Sequence, residues 1–410
     1  MLFSIQQKDL SRALDTVWDV VPSKTAIPVL SHLLIEAFPH KNSESDSGKI
    51  TISATDLDIS ITTSTATSVI EAGRITVPAR KFFEIIRELP DGTLVVSGKD
   101  HQVKINRPVG GQDTASESFD TDPETVLPGQ GVYVLMGLPS EDYPELPGDI
   151  EGTLIQFGEN GGPDGNTIKD MISKTSFAVS RDETRPVLNG VLCLVRPEGI
   201  TMVATDGHRL IRHIKGLDLK DSMKGKDQAE AIVPPRVLQH LVKLLSSHCT
   251  LKQCVIGSNH ILFDLGQTRL VSRLIEGPYV DYEQVIPGDN TQRMMISKNA
   301  IAPSVRRVSI LSNTQTHQIR IGFRKDEVEL SAVSQEVGGE ARESIQANYD
   351  GDQMDIGYNS AYLLDILKRI DSEDVIFDLN TPITAGIVRP AEQPEGEDYL
   401  CLLMPLRLSE

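Results

Sequence analysis

The residues best suited to chemistry are four neighbours, Asp206, Gly207, His208 and Arg209. A carboxylate two positions from an imidazole could orient that ring as a general base, which would make the chain a hydrolase or a transferase. Such a site also needs a nucleophile on a glycine-rich turn or a second histidine at metal-ligand spacing, and neither accompanies the cluster. Hydrolysis through Asp206 and His208 is therefore kept as an alternative, and no catalytic residue is predicted.

Two other patterns with chemical potential are weak. The glycines of segment 158–166 invite comparison with a phosphate-binding loop, but no Gly-Lys-Ser/Thr ending and no strand-to-helix context accompanies them. The cysteines form no Cys-x-x-Cys pair, and Cys193 and Cys401 lie in apolar, strand-like segments. We expect reduced, buried thiols, no metal site and no cofactor.

The composition limits the class of protein. A length of 410 residues favours several domains, because one domain takes about 100–200 residues. No apolar run approaches the ~18 residues that span a membrane, and the N-terminus lacks the pattern of a signal peptide. The net charge of -18 argues against a general nucleic-acid binder, since phosphate contacts need clustered Lys and Arg. It still permits one basic surface on an acidic body.

One strand pattern occurs three times along the chain. Segment 50–58 reappears at 200–208 with its Ala-Thr-Asp core unchanged, and a divergent copy occupies 328–334. Each copy is followed by a strand and a short apolar helix. The period exceeds the roughly 20–50 residues of solenoid repeats, so it indicates whole domains of one fold in series.

Each repeat is predicted to contain two helices and several antiparallel strands, which makes an α+β layered domain. The helices are expected near 8–21, 79–89, 168–179, 235–245, 300–309 and 360–370. Segment 49–64 is predicted to be one strand with a bulge at Thr55-Asp56, where its alternation changes phase. The domains are expected at 1–148, 149–281 and 282–410. Residues 108–131, which lack periodicity, are predicted to be a flexible insertion in the first domain.

The chain resembles the bacterial DNA polymerase III beta subunit family, the DNA sliding clamps, over almost its whole length. The resemblance rests on five stretches in the expected order: Val77-Pro78-Ala79-Arg80-Lys81-Phe82-Phe83, Leu188-Asn189-Gly190, Val203-Ala204-Thr205-Asp206-Gly207-His208-Arg209-Leu210, Asp281-Tyr282 with Val285-Ile286-Pro287, and Met404-Pro405-Leu406-Arg407-Leu408.

The resemblance implies three tandem DNA-clamp domains in a crescent, with two crescents closing head to tail into a homodimeric ring. Helices would line the hole, and double-stranded DNA would pass through it without sequence-specific contacts. The implied function is a non-catalytic processivity factor. Its expected partners are a second copy, the polymerase III catalytic subunit, an ATP-driven clamp loader and other replication and repair proteins. The expected location is the bacterial cytoplasm, at replication forks on the nucleoid.

The resemblance also assigns a partner-peptide groove between the second and third domains. Its residues would be Leu188, Thr205, Gly207, His208, Arg209, Leu210, Val280, Val285, Leu402, Met404, Pro405 and Leu406. A shallow groove with leucine and methionine suits short motifs that dock apolar anchors. Leu188 and Leu402 could instead be ordinary core residues. Val280 stands where a proline is usual in the family and Gln284 where a basic residue is common, so the preferred partner motif is left open.

Basic residues on the expected inner helices and their loops are the candidates for facing DNA. They are Lys24, Arg80, Lys81, Arg87, Lys174, Arg181, Arg185, Arg236, Lys243 and Lys298. Lys24 and Arg185 lie in loops that match DNA-proximal loops of the family. The alternative for each residue is a solvated surface charge.

For the contact between subunits, the resemblance indicates Tyr133 and Leu135 on an edge strand of the first domain. Their partners would be Ile310 and Leu311, after the first helix of the third domain, and the sheet would continue across the boundary. Ile310 and Leu311 could instead pack inside their own domain. A clamp-like adaptor that never closes into a ring is the remaining alternative.

Overall fold

The computed structural model describes residues 1–39, 47–107, 131–158, 163–247, 249–334 and 338–408. The predicted flexible insertion therefore lies outside the described residues, apart from Gly131, which begins a strand. The chain divides into two compact units, one of Met1–Gly152 with Lys243–Arg273 and one of Thr153–Val242 with Leu274–Glu410. Among the helices described, none combines the length and the apolar character that crossing a bilayer requires.

The described residues contain helices at all six predicted places, each close to its expected bounds. They are α1 Gln7–Val17, α2 Ala79–Glu88, α3 Gly165–Thr175, α4 Pro235–Ser246, α5 Lys298–Val308 and α6 Ser360–Leu367. Their starts follow from local chemistry, because Asp164 caps α3 and Asn359 caps α6 by accepting backbone N–H bonds. Pro235 opens α4, where its missing N–H costs nothing.

One antiparallel sheet dominates the first unit. Its strands are β1 Leu2–Gln6, β2 His32–Pro39, β3 Ser47–Thr55, β4 Ile59–Glu71, β5 Gly73–Pro78, β6 Thr93–Lys99, β7 Gln102–Arg107, β8 Gly131–Met136, β15 Gln253–Gly257, β16 His260–Asp264 and β17 Thr268–Arg273. The order is β15-β16-β17-β4-β1-β6-β7-β8, while β3 joins β4 to β2 and β2 pairs with β5. The pairing of β17 with β4 carries three strands of the predicted second domain into this unit.

The second unit contains two antiparallel sheets and a separate short pair formed by β9 and β13. Its strands are β9 Gly152–Gln156, β10 Val191–Arg196, β11 Gly199–Thr205, β12 Arg209–Gly216, β13 Met223–Lys224, β14 Ala229–Val233, β18 Gln292–Ser297, β19 Gln318–Arg324, β20 Glu327–Ser334, β21 Gly339–Gln346, β22 Asn348–Tyr349, β23 Met354–Asn359, β24 Asp374–Leu379, β25 Gly386–Pro390 and β26 Glu397–Leu403. One sheet has the order β14-β10-β11-β12-β26-β25-β24-β18-β22, the other the order β21-β20-β19-β23.

The cores form where helices cover one face of a sheet. In the first unit, α1 and α2 pack against each other and bury Leu10, Leu14, Phe82 and Ile86. In the second, α5 and α6 pack in the same way and bury Val305 and Leu363 among others. Each helix shows one apolar face because its apolar residues recur at helical spacing. This is the predicted α+β architecture of helices on antiparallel sheets.

The predicted bulge in segment 49–64 is wrong, because the chain reverses there. Strand β3 ends at Thr55, residues 56–58 form a tight turn, and β4 returns with Thr55 opposite Ser60. The phase change in the alternation therefore marks a hairpin turn with positive φ at Leu57. The equivalent turn at 206–208 joins β11 to β12, with Gly207 in the positive-φ position.

Candidate binding surfaces

The turn that contains the Asp-Gly-His-Arg cluster is held by side-chain bonds to its own backbone. Thr205 Oγ1 accepts from Gly207 N at 3.1 Å and donates to the Arg209 carbonyl at 2.7 Å. Asp206 Oδ1 accepts from the backbone N–H of His208 at 2.9 Å and of Arg209 at 3.0 Å. These bonds use Thr and Asp as turn-formers, which explains why the pair recurs in the Thr55-Asp56 turn.

The catalytic alternative fails on this geometry. The second oxygen of Asp206 accepts from Arg209 Nε at 3.1 Å, so the carboxylate is engaged by backbone and guanidinium. The hydrogen bond from His208 to Asp206 comes from its backbone N–H, while the exposed His208 ring stacks towards Tyr362 at 6.4 Å between ring centroids. A base and its orienter need a direct carboxylate-imidazole bond. The cluster is therefore structural at Asp206 and available for contacts at His208.

Arg209 is a buried residue that joins the turn to helix α6. Its Nη1 donates to Asp365 at 2.9 Å and its Nη2 to the Phe177 carbonyl at 3.0 Å. The guanidinium also lies 4.3 Å from the centre of the Tyr362 ring. A planar cation with every side occupied offers nothing to a peptide, so Arg209 positions the predicted groove from beneath. Sequence reasoning missed Phe177, Tyr362 and Asp365, which lie far along the chain from Arg209.

Strand pairing and a backbone bond bring the middle of the predicted groove together. Strands β12 and β26 place Leu210 opposite Leu402, and Met404 N donates to the His208 carbonyl at 2.9 Å. Leu210 and Leu402 are buried in one apolar cluster. Leu188 is also buried, in its own short turn. For Leu188 and Leu402 the core alternative describes their position, and Leu210 is buried as well.

The exposed residues of the predicted groove are Gly207 and His208 of the turn and three apolar side chains. Val280, Val285 and Met404 expose 40%, 50% and 39% of their surface, while Pro405 and Leu406 are half-buried. The cluster beneath includes partly buried side chains that the sequence did not single out, namely Val187, Ile275, Tyr279, Ile286 and Ala385. Tyr279 and Ile286 are the sequence neighbours of Val280 and Val285. This adjacency was the signal that could have identified them as part of the cluster. Gln284 donates to Asp281 at 2.6 Å.

The ten basic candidates for DNA occupy different environments. Lys24, Arg87 and Arg181 are exposed, and no ion pair is described for them within the covered ranges. Arg80 and Lys81 both pair with Glu84, and Lys243 pairs with Asp19, at exposed positions where such pairs yield easily. Arg236 is also exposed, on α4.

Two candidates, Lys174 and Lys298, are committed to other contacts, and Arg185 forms an exposed ion pair. Arg185 Nε binds Asp182 at 3.0 Å, and its guanidinium lies beside the Gly207 turn. Lys298 Nζ donates to the Ile370 carbonyl at 2.7 Å. Lys174 departs furthest from its predicted role, because its side chain is only 12% exposed and its ammonium binds Asp170, Asp371 and Glu397. Burial alone would lower the pKa of Lys174, but bonds to Asp371 and Asp170 raise it above its ordinary value.

The Lys174 cluster also contains a grouping of possible metal ligands, found among the described residues. Ligand atoms of Asp170, His213 and Glu397 lie within 4.8 Å of one another. Two ammonium groups, from Lys174 and Lys215, already bind the Glu397 carboxylate. The negative charge that would hold a divalent cation is thus neutralised by lysine. The arrangement is a buried ion-pair network.

The residues predicted for the subunit contact lie at exposed edges. Strand β8 ends its sheet, and within the described residues it pairs only with β7. Tyr133 on β8 is exposed and Leu135 is half-buried. Ile310, in a short 3-10 turn after α5, exposes 77% of its surface, and Leu311 is half-buried. That turn packs beside β20 and the edge strand β21.

Comparison with known proteins identifies the family of each part of the chain. Models of the DNA polymerase III beta subunit match its N-terminal domain at 1–147, its central domain at 164–281 and its C-terminal domain at 283–407. The beta sliding clamp of Chlamydia muridarum is 29% identical over 410 residues, which is 100% of both chains.

Solved structures agree with the family models. The DNA polymerase III subunit beta from Pseudomonas aeruginosa is 27% identical with a TM-score of 0.83, and the match covers 100% of each chain. A sliding clamp from Bartonella birtlesii, solved bound to griselimycin, is 28% identical with a TM-score of 0.82 over 100% of each chain. Three consecutive matches to clamp domains define the class, that of the non-catalytic DNA sliding clamps. The chain belongs to the DNA polymerase III beta subunit family.

Proposed function

We propose that two copies of this chain close into a ring around double-stranded DNA and hold the replicative polymerase on it. The observation that carries the proposal is the match to three consecutive clamp-domain models, supported by full-length likeness to sliding clamps. We place the three domains at 1–148, 149–281 and 282–410. The family is non-catalytic, and the engaged Asp206 carboxylate is consistent with that.

A ring accounts for the acidic composition. A closed ring is retained by topology, so residence on DNA does not need many phosphate contacts, and a net charge of -18 is tolerated. A few basic side chains near the hole suffice to centre the duplex, and the acidic exterior repels stray DNA. Lys24, Arg80, Lys81, Arg87, Arg181, Arg185, Arg236 and Lys243 remain the candidates. Their exposure supports this role.

Partners are proposed to dock on the apolar surface formed by Val280, Val285, Met404 and the exposed side of His208. The burial of Leu210 and Leu402 beneath gives this surface a rigid floor, which suits short motifs that insert apolar anchors. The expected ligands are segments of the polymerase III catalytic subunit, of the clamp loader and of other replication and repair proteins. These partners place the protein in the bacterial cytoplasm, at replication forks.

Ring closure is proposed to pair β8 of one copy with β21 of the other. Both are edge strands, and unpaired edges favour addition of a strand from another chain. Tyr133 and Leu135 would then meet the exposed Ile310 and its neighbour Leu311. The apolar character of β8, which carries no charged residue, supports this role.

The experiment that tests the ring is retention on DNA of defined topology. The protein is loaded onto nicked circular plasmid by a clamp loader with ATP, and bound protein is separated by gel filtration. We expect retention on the circle and release when a restriction enzyme linearises the plasmid. A matched plasmid carries tightly bound proteins on both sides of the restriction site. Because these proteins block the new ends, this sample should retain the clamp after it is cut. Equal retention on open linear DNA would refute topological binding.

A further inference from the structure

The turn at 55–59 in the first unit has the same construction as the turn at 205–209 in the second. Thr55 Oγ1 accepts from Leu57 N at 3.0 Å and donates to the Ile59 carbonyl at 3.0 Å. The neighbouring aspartate accepts two backbone N–H bonds, at 3.1 and 2.8 Å. The turn at 205–209 makes the same four bonds between equivalent atoms. The two turns therefore share one backbone frame.

The strand that pairs beside each turn is also placed in the same register. Strand β17 pairs with β4 as β26 pairs with β12, and in both units the backbone N–H just beyond the last register pair donates to the turn. Arg273 N donates to the Asp58 carbonyl at 2.9 Å, and Met404 N donates to the His208 carbonyl at 2.9 Å. Arg273 thus occupies in the first unit the place that Met404 occupies in the second.

A buried tyrosine completes the frame in each unit. Tyr143 Oη donates to the Ser53 carbonyl at 3.2 Å, and Tyr279 Oη donates to the Val203 carbonyl at 3.5 Å, two residues before the threonine of each turn. Each tyrosine belongs to an apolar cluster of its own unit, which also includes the valine of a Pro-Val-Leu 3-10 turn. The turn, the neighbouring strand and the apolar packing of the proposed docking surface are thus all present a second time.

The two frames differ in the side chains that they expose. Leu57 exposes 44% of its surface, and Asp58 and Arg273 are exposed as well. Within the part of the chain that the structure describes, neither of these two charged side chains has an ion pair. The residues at the equivalent positions of the second unit are Gly207, His208 and Met404.

These differences oppose the docking of an apolar anchor in the first unit. An anchor that covered Asp58 and Arg273 would remove a carboxylate and a guanidinium from water without supplying a partner for either, which is unfavourable. Leu57 also adds a side chain where Gly207 leaves the backbone accessible. Unpaired charge and bulk reject a ligand while the frame itself stays intact.

We propose that the first unit contains a second copy of the docking frame, closed to apolar partner motifs by Leu57, Asp58 and Arg273. These three residues determine specificity, because they restrict such motifs to the docking surface of the second unit. Each chain then binds one apolar motif although its fold offers two frames. Because the choice lies between two copies of one frame, it rests on the proposed docking function of the second copy.

The decisive experiment opens the closed frame. The full-length protein is titrated with a fluorescein-labelled peptide, Ser-Leu-Ser-Leu-Phe-Ser, in anisotropy measurements at a protein concentration well above Kd. Leu57→Gly, Asp58→His and Arg273→Met together are expected to raise the stoichiometry from about one to about two peptides per chain. The control, Lys8→Met with Asp91→His, removes an exposed ion pair elsewhere in the first unit and should leave one. One peptide per chain in the opened variant would overturn the proposal.

The reverse exchange tests the same residue types in the second frame. His208→Asp with Met404→Arg is expected to weaken peptide binding by about tenfold or more, because charges are placed where an apolar anchor docks. The control Ile383→Arg adds a charge at an isoleucine that is 78% exposed and should change the affinity by less than about twofold. Equal affinities of the double variant and this control would contradict the assignment.

A combined variant locates the second peptide. With the second frame closed and the first frame opened, the chain should again bind about one peptide. Loss of binding in the combined variant would show that the first frame is not a docking site, and would overturn the proposal. If the opened variant does not fold, Asp58→His with Arg273→Met alone changes only exposed side chains and should still give a second, weaker site. One peptide per chain in that variant would equally refute the proposal.

The wild-type titration separates this proposal from the proposed function. If the wild type binds no peptide, the docking surface of the second unit is refuted, and the choice between two copies falls with it. If the wild type binds two peptides per chain, docking stands and the closure by Leu57, Asp58 and Arg273 is refuted. If both the wild type and the opened variant bind one, only the closure is refuted.

Discussion

Glu397 is the residue on which the largest ion-pair network of the second unit converges. Its carboxylate binds Lys174 at 3.4 Å, His213 Nε2 at 2.9 Å and the Lys215 ammonium, and its side chain is 6% exposed. Burial alone would raise the pKa of Glu397, but Lys215, Lys174 and His213 together lower it to about 2. Burial also lowers the pKa of His213, whose bond to Glu397 opposes that shift. The network therefore holds a charged carboxylate in a mostly buried place.

The substitution Glu397→Gln is expected to destabilise the protein by about 3 kcal/mol at pH 7, because it leaves buried cations without their counter-charge. The folded pKa lies below the ordinary value of 4.5, so this stabilisation is complete above about pH 5 and is lost as pH falls towards 2. Urea unfolding of the wild type and of the variant, at pH 7 and at pH 3, measures this stabilisation. The difference between wild type and variant should shrink at pH 3.

Glu395→Gln is the matched control for this prediction. Glu395 is exposed and lies two residues away, so its neutralisation should change the free energy of unfolding by less than about 0.5 kcal/mol. A Glu397 variant as stable as the Glu395 variant at pH 7 would contradict the assigned role of the network.

Individual side-chain roles were predictable only where neighbours in sequence decide them. The Thr205-Asp206 turn bonds are local, so the sequence carried their signal. The partners of Lys174 at Asp371 and Glu397 come from strands and loops about two hundred residues away, and no local pattern announces them. Lys174 therefore looked like a free cation on a helix. The fold brings Lys174 into contact with these partners, and Lys174 is therefore a structural residue.

At the scale of elements, the two turns that begin β4 and β12 share one design with a different residue at the strained position. Leu57 has φ of 82° and Gly207 has φ of 90°. An L-residue in this region costs about 1–2 kcal/mol, whereas glycine adopts it freely. The second copy of the turn is thus relaxed, while the first carries strain at an exposed leucine.

We expect Gly207→Ala to lower the free energy of unfolding by about 1 kcal/mol. Alanine at this positive φ strains the folded state, and part of that cost is offset because alanine restricts the unfolded chain more than glycine does. The new Cβ would also lie 3.0 Å from Arg185 Nη1, so the turn must shift. Because His208 and Met404 adjoin the turn, binding of a short leucine- and phenylalanine-containing peptide should weaken in anisotropy titrations.

Leu57→Gly is the counterpart, expected to raise the free energy of unfolding by about 0.5–1 kcal/mol, because relieved strain exceeds the added unfolded-state entropy. It should leave peptide affinity unchanged. If both substitutions shift stability in the same direction, backbone strain is not what distinguishes the turns.

Elements were more predictable than their connections. Helix α4 was expected at 235–245 and spans Pro235–Ser246, because a proline start and an apolar face are local signals. The hairpin between β3 and β4 was mistaken for a bulge because its turn contains no glycine or proline, the residues that most strongly indicate a chain reversal. Strands β4 and β17 pair although they lie about two hundred residues apart in the sequence. The alternation of apolar residues within a strand cannot specify which distant strand it pairs with.

At the scale of the whole molecule, the proposed ring closure relies on apolar residues that are partly or largely exposed in the single chain. The double substitution Ile310→Asp and Leu311→Asp is expected to give monomers in sedimentation velocity, because a carboxylate would be buried against apolar Tyr133 and Leu135. The control Ile383→Asp changes an isoleucine that is 78% exposed, in the loop between β24 and β25, and should leave the dimer intact. Dimers in both variants would exclude Ile310 and Leu311 from the interface.

The same ring should touch DNA through few phosphate contacts, and the salt dependence of binding counts them. Each phosphate neutralised contributes about 0.9 to the slope of log K against log salt. Changing Lys24, Arg87 and Arg181 to glutamine together should therefore lower that slope by up to about three, with weaker retention on circular plasmid. These three are the informative set because their charges are exposed and unpaired within the described residues. The control changes Lys220, Lys226 and Lys325 to glutamine, three exposed lysines in turns or loops between strands, and should leave the slope unchanged. If both triple variants lower the slope equally, DNA senses only the total charge of the chain. That result would remove these residues from the inner surface of the ring.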